Sequence, residues 1–180
     1  MRSQKTIQMV QTALFSGILC VLAPFTIPVP MSPVPLSFAN FVVYLVGVLL
    51  GAKQGALCVL VYLVVGAVGL PVFSGFSGGI GILLGPTGGY LFGYLACVAV
   101  VGRLKDAKRK MLWNVFSMGL GTLLCYFLGT VWFLVIMDGS YAIGQALLVC
   151  VVPYSVFDFM KILAAAAVAE PMKRILNNRR

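Results

Sequence analysis

The chain has 180 residues, 61% of them hydrophobic and 9% charged, with a formal net charge of +9 and no histidine. Soluble domains are about 45–50% apolar and about 25% charged, so this composition describes an integral membrane protein with room for about six spans. The lack of histidine, and acids limited to Asp106, Asp138, Asp158 and Glu170, exclude His-based triads, His-containing metal sites and multi-carboxylate metal clusters.

The apolar runs fall, in chain order, at about 8–27, 36–51, 55–70, 86–102, 112–137 and 153–170. The first follows a basic start, MRSQK, as a signal peptide would, but five further spans make it read as an uncleaved helix. After it comes TIPVPMSPVP at 26–35, whose four prolines predict a stiff extended loop. The second and third spans are short for a hydrocarbon core of about 30 Å, so they should extend into neighbouring loops or sit where the bilayer thins.

Between the third and fourth spans lies GLPVFSGFSGGIGILLGPTGGY, residues 69–90, with eight glycines in 22 positions. Glycine at this density opposes a helix by about 1 kcal/mol per residue relative to Ala. It suits a capping loop, at about 71–85, whose bare backbone can approach a small ligand. The segment has no G-K-[ST] and misses the G-x-G-x-x-G spacing, so it is neither a P-loop nor a dinucleotide fingerprint. Non-helical backbone at membrane depth is tolerated where it lines a cavity. Phe73, Phe76, Tyr90, Tyr141, Tyr154 and Phe157 lie near that region, where aromatics also serve as an interfacial belt.

The basic residues set the topology. Arg2, Lys5, Lys53, Arg103, Lys105, Lys108, Arg109, Lys110, Lys173, Arg174, Arg179 and Arg180 all fall on one side if the N-terminus is inside. The positive-inside rule then places both termini in the cytoplasm and argues against nucleic acid as the partner of the basic charge. The thirteenth basic residue, Lys161, lies within the last span, three positions after Asp158. That spacing puts both on one helical face. With Pro153 in the first turn, Asp158 lies about 7–8 Å and Lys161 about 12 Å in from the outer end. Intramembrane charges are costly and face a cavity or the bundle interior. The pair is either an ion pair that pins helices or a polar clamp for a ligand offering an N–H beside a C=O; with no nucleophile or metal set beside it, it does not read as catalytic.

The five cysteines read as small packing hydrophobes. Small-xxx-small pairs at Ala13/Gly17, Gly47/Gly51, Gly51/Gly55 and Gly89/Gly93 read as close helix packing, any one of which could instead be an exposed docking face.

Taken together, VPLS at 34–37, GAVGLPVFSGFSGG at 66–79, GPTGGY at 85–90 and the spacing of Pro153, Asp158 and Lys161 resemble the BioY family, over about residues 10–175. These are the biotin-binding membrane subunits (S components) of energy-coupling-factor (ECF) transporters. The resemblance implies an all-α, six-helix S-component fold in a single membrane domain spanning 1–180, with loops at about 26–35 and 71–85 capping an outward pocket. It implies biotin as transported ligand, no cofactor, a place in the bacterial cytoplasmic membrane among its lipids, and partnership with a coupling membrane protein and separate ATPase subunits. By position, Asp158 and Lys161 would contact biotin. Phe73, Ser74 and Gly75 belong to the capping loop, and Thr87, Gly88 and Tyr90 open the fourth helix beside the pocket. Ala13 and Gly17 match the patch that docks the coupling subunit. The family's first outer loop commonly has Gln where this chain has Ala39, followed here by Asn40, and no ligand role is assigned there. The alternative from another class is a self-sufficient secondary transporter or facilitator for biotin or another small vitamin, with Asp158 as its proton site.

Overall fold

The structure, a computed structural model, describes residues 2–27, 35–105, 111–138 and 142–177. Most of the Pro-rich loop (28–34), Lys108, Arg109, Lys110, Tyr141, Arg179 and Arg180 lie outside the described residues. The elements are α1 (Arg2–Leu22), β1 (Thr26–Ile27), β2 (Leu36–Ser37), α2 (Ala39–Leu50), α3 (Ala52–Ala67), α4 (Ile80–Leu84), α5 (Gly88–Arg103), α6 (Met111–Ile136), α7 (Ile143–Cys150) and α8 (Val152–Asn177). Gln4–Leu22, Met111–Ile136 and Ile143–Lys173 are long and apolar enough to cross a membrane; α2, α3 and α5 are apolar but shorter.

At 1.5 Å per residue, α2 is only about 18 Å long. It is nonetheless the centre of the bundle, with ten of its twelve residues buried. A helix apolar all round belongs in such a position, shielded by neighbours on every side. Its Tyr44 hydroxyl lies 2.6 Å from Thr122 Oγ1 of α6, so the polar tip of a fully buried ring is satisfied inside the core.

Small residues decide which helices come close. A methyl group added to Gly89 would lie 2.2 Å from Trp132 Cβ, and one on Gly93 would lie 2.8 Å from Cys125 Sγ, so α5 and α6 pack antiparallel with almost no gap. Gly47 meets Val101 at 2.8 Å and Gly55 meets Val98 at 2.7 Å in the same sense, drawing α2 and α3 onto α5. Without a hydrophobic drive between helices in lipid, such close van der Waals packing is what associates them. Gly17 differs: a methyl group there would meet nothing within 4 Å, and Ala13, Leu14, Gly17 and Ile18 line an open apolar groove of about 610 Å³ on α1.

The bundle has two chemically distinct ends. One holds the antiparallel β1–β2 pair (Thr26 with Ser37, Ile27 with Leu36), the 68–87 segment and the starts of α2, α5 and α8. The other holds Lys53, Arg103, Lys105 and Lys173, and there buried Asn114 donates to Glu170 Oε1 at 2.9 Å and accepts from Lys173 Nζ at 3.0 Å.

The structure adds two helices where the sequence suggests connections. Within the glycine-rich stretch, Ile80–Leu84 forms a short helix, its end fixed by Trp132 Nε1 donating to Gly85 O at 3.0 Å. Ahead of α8, Ile143–Cys150 forms α7, set off from α8 at Val151. Pro153 supplies the reason for that break: its ring and missing N–H forbid a continuous helical ladder through this point but suit the first turn of a new helix.

Candidate functional site

The site begins with Asp158, 3% exposed, on the first half of α8. Its Oδ1 accepts from Lys161 Nζ at 2.8 Å. Its Oδ2 accepts from two sides: Asn40 Nδ2 at 2.9 Å from α2, and the Tyr126 hydroxyl at 2.6 Å from α6. Charge-assisted hydrogen bonds of this length are about twice as strong as neutral ones, so three helices are tied to one carboxylate.

Lys161 makes a second bond, donating to Ser37 O at 2.8 Å. Ser37 is itself held: its hydroxyl donates to Ala23 O at 2.9 Å and accepts the Ala39 N–H at 3.0 Å. The ammonium therefore links α8 to the β1–β2 pair and the start of α2. An ammonium has three donors. Among the described residues two of them are taken, which leaves one, beside the unused lone pair of Asp158 Oδ1.

This acceptor–donor edge faces a two-lobed cleft. The polar lobe, about 40 Å³, is bounded by Asn40, Tyr126, Tyr154, Asp158 and Lys161 together with Cys125 and Cys150. The apolar lobe, about 200 Å³, is bounded by Phe73, Ser74, Ser77, Ile82, Thr87 and Leu91. Pro35, Tyr90 and Tyr94 line both and so join the lobes. A mostly apolar cavity with a few fixed polar groups is the usual form of a small-molecule site.

The wall formed by residues 69–79 is anchored by Phe73, whose ring is 1% exposed and packs edge-on against Tyr62 at 5.4 Å. The ring fills a notch at Gly66, where a methyl group would lie 2.1 Å from Phe73 Cζ. The loop is closed on itself by Phe73 N–H to Ser77 O at 2.9 Å and Ser77 Oγ to Ser74 O at 2.8 Å. Gly75 lines neither lobe; its N–H is used on Pro24 O at 3.0 Å, docking the loop onto the end of α1. Gly88 also lines neither lobe; a methyl group on it would sit 1.8 Å from Leu83 O, so its service is to let α5 start against α4. Of the residues singled out in the sequence, Asp158, Lys161, Phe73, Ser74, Thr87 and Tyr90 converge on the cleft, while Ala13 and Gly17 lie on the α1 groove.

Ser37, Tyr94 and Tyr126 were not distinguishable in the sequence. Tyr126 sits in a 26-residue apolar helix with no local signal that it faces Asp158. Asn40 did carry a signal, as an amide in the first turn of an otherwise apolar segment, and its partner is Asp158.

A helical bundle with helices long and apolar enough to cross a membrane, and with a cleft beside a buried acid–base pair at one end, has the form of a multi-pass membrane protein with a candidate solute site. The BioY family model matches residues 1–178, and the chain belongs to the BioY family. It is 37% identical over 168 residues to the biotin transporter BioY of Thermotoga maritima, covering 93% of this chain and 96% of that one. It is also 37% identical over 147 residues to the probable biotin transporter BioY of Pyrococcus horikoshii, covering 82% and 85%. The crystal structure of the S-component for biotin from an ECF-type ABC transporter has the same fold, with a TM-score of 0.88 over 97% of this chain and 94% of that one at 24% identity. These relatives are transporters, not enzymes.

Proposed function

We propose that this chain is the biotin-binding S component of an ECF transporter and takes biotin across a bacterial cytoplasmic membrane. The observation that carries the reading is the edge that the buried pair leaves open among the described residues: one acceptor site on Asp158 and one donor on Lys161, side by side next to an apolar lobe. Biotin's cyclic urea presents an N–H next to a carbonyl, and its fused thioether ring is apolar. In this reading Asp158 accepts from the urea N–H and Lys161 donates to its oxygen, while Pro35, Tyr90 and Tyr94 enclose the rings.

The chain sits as a single six-span domain with both termini in the cytoplasm. The basic residues gathered at the end opposite the cleft support that orientation, which turns the cleft outward. The α1 groove around Ala13 and Gly17 docks a coupling membrane protein, and separate ATPase subunits joined to it supply the energy.

Biotin titration of the purified chain in detergent tests the binding claim: saturable binding at micromolar biotin is expected, and its absence defeats the reading. Uptake in cells with and without the ATPase partners tests the energisation. Uptake that needs no partner and collapses with a protonophore would instead establish the self-sufficient transporter, with Asp158 as its proton site.

A further inference from the structure

The two lobes offer different chemistry, and the difference bears on which part of a ligand is read closely. Among the described residues Lys161 is the one cation lining either lobe, and the 28–34 segment has no charged residue in its sequence. Lys161 already faces a full negative charge on Asp158 at 2.8 Å. A ligand carboxylate drawn to this ammonium would stand beside a buried carboxylate, and two like charges that close disfavour each other strongly. The polar lobe thus suits a neutral group with one donor and one acceptor.

The far lobe carries hydroxyls instead of charges. Ser74, Ser77 and Thr87 are each half-buried, and Ser74 and Ser77 flank the exposed Gly75 and Phe76, whereas Asp158 is enclosed. A hydroxyl both donates and accepts, so this end can satisfy a carboxylate or an uncharged amide. Ser77 leans toward the amide: its proton is committed to Ser74 O, leaving it free to accept but not to donate.

From this geometry we infer that the site is selective for the cyclic-urea ring and permissive for the tail: the urea seats on Asp158 and Lys161, the tail ends among Ser74, Ser77 and Thr87, and biotin amides, in which an uncharged amide replaces the tail carboxylate, biotinyl-lysine included, are ligands of the same site. The inference rests on the biotin reading above and extends its substrate class to amide-linked biotin released by breakdown of biotinylated protein.

The test is competition against labelled biotin on the purified chain, using biotin, biotinamide, biotinyl-lysine and a biotin methylated on a urea nitrogen. The two amides should bind within about fivefold of biotin, while the N-methyl compound, which loses a charge-assisted hydrogen bond, should bind at least about tenfold more weakly. Amides weakened by more than about fiftyfold would overturn the inference, because the site would then be reading the tail carboxylate, whatever the N-methyl compound does. An N-methyl compound that binds like biotin would overturn it too. If biotin itself fails to bind, the functional reading falls along with it; if biotin binds and the amides do not, only the inference is lost.

Discussion

The Tyr126 hydroxyl donates to Asp158 Oδ2 at 2.6 Å, joining the middle of α6 to the N-terminal part of α8 through a buried carboxylate. Asn40 donates to the same oxygen from α2 at 2.9 Å, so the acid is aimed by two helices before any ligand arrives. Its other oxygen is thereby turned toward Lys161 and the cleft. Binding groups fixed in advance lose less entropy when a ligand is captured.

Tyr126→Phe tests that arrangement. The ring stays and only the hydroxyl goes, leaving Asp158 one donor short. Biotin affinity should fall by up to about 1.5–3 kcal/mol, the usual worth of a hydrogen bond to a charged group, with helix content unchanged. Affinity equal to the parent's in a titration would mean that Tyr126 contributes nothing to aiming the acid.

Asp158→Asn and Lys161→Met address the pair itself. Each breaks a buried ion pair and leaves the other charge uncompensated, so stability should fall by about 3–5 kcal/mol. Biotin affinity of the folded fraction should fall as well, by at least about 1.5 kcal/mol if charge-assisted bonds to the ligand are lost. Thermal unfolding and titration separate the two effects. Lowered stability with unaltered affinity would make Asp158 and Lys161 a structural pin between α8 and the rest of the bundle and nothing more.

Much of this site was legible because membrane chains are strict about charge. Asp158 and Lys161 stand out in an apolar segment, and their three-residue spacing fixes a common face. What the sequence hid are the partners that depend on helix rotation: Tyr126 and Tyr94 look like any aromatic in an apolar run until α5 and α6 are packed. The helices α4 and α7 were hidden for a different reason. Residues 80–84 are an apolar run whose flanking glycines argue for a loop, and the tertiary bond from Trp132 to Gly85 is not visible locally. At α7, Pro153 marks the start of a new helix but says nothing of a helical turn before it.

The notch at Gly66 offers a test of the loop that walls the apolar lobe. Gly66→Val places carbon where the Phe73 ring now lies, since even a methyl group would be 2.1 Å from it. Overpacking of this kind costs about 1–3 kcal/mol, and here the ring can escape only by pulling residues 69–79 off the end of α3. Biotin dissociation should therefore accelerate more than the melting temperature falls, because the damage is local to the wall. A variant with normal dissociation and a lowered melting temperature would show that the loop does not retain the ligand.

Gly17→Leu separates folding from partnership. Gly17 lies in the interior of α1 with nothing within 4 Å of an added carbon, so no neighbour inside the chain has to move. Replacing Gly by Leu in a helix interior gains helix propensity, close to 1 kcal/mol, and the isolated chain should be as stable as the parent or more so. Biotin binding in detergent should not change, as the groove lined by Ala13, Gly17 and Ile18 shares no residue with either lobe of the cleft. Energised uptake in cells should nevertheless collapse if the proposed docking holds, because a leucine side chain then fills the groove that receives a coupling subunit's helix. Co-purification with the coupling and ATPase subunits should be lost in parallel. Uptake at the parental rate with binding intact would show that α1 docks its partner elsewhere or meets only lipid along this face.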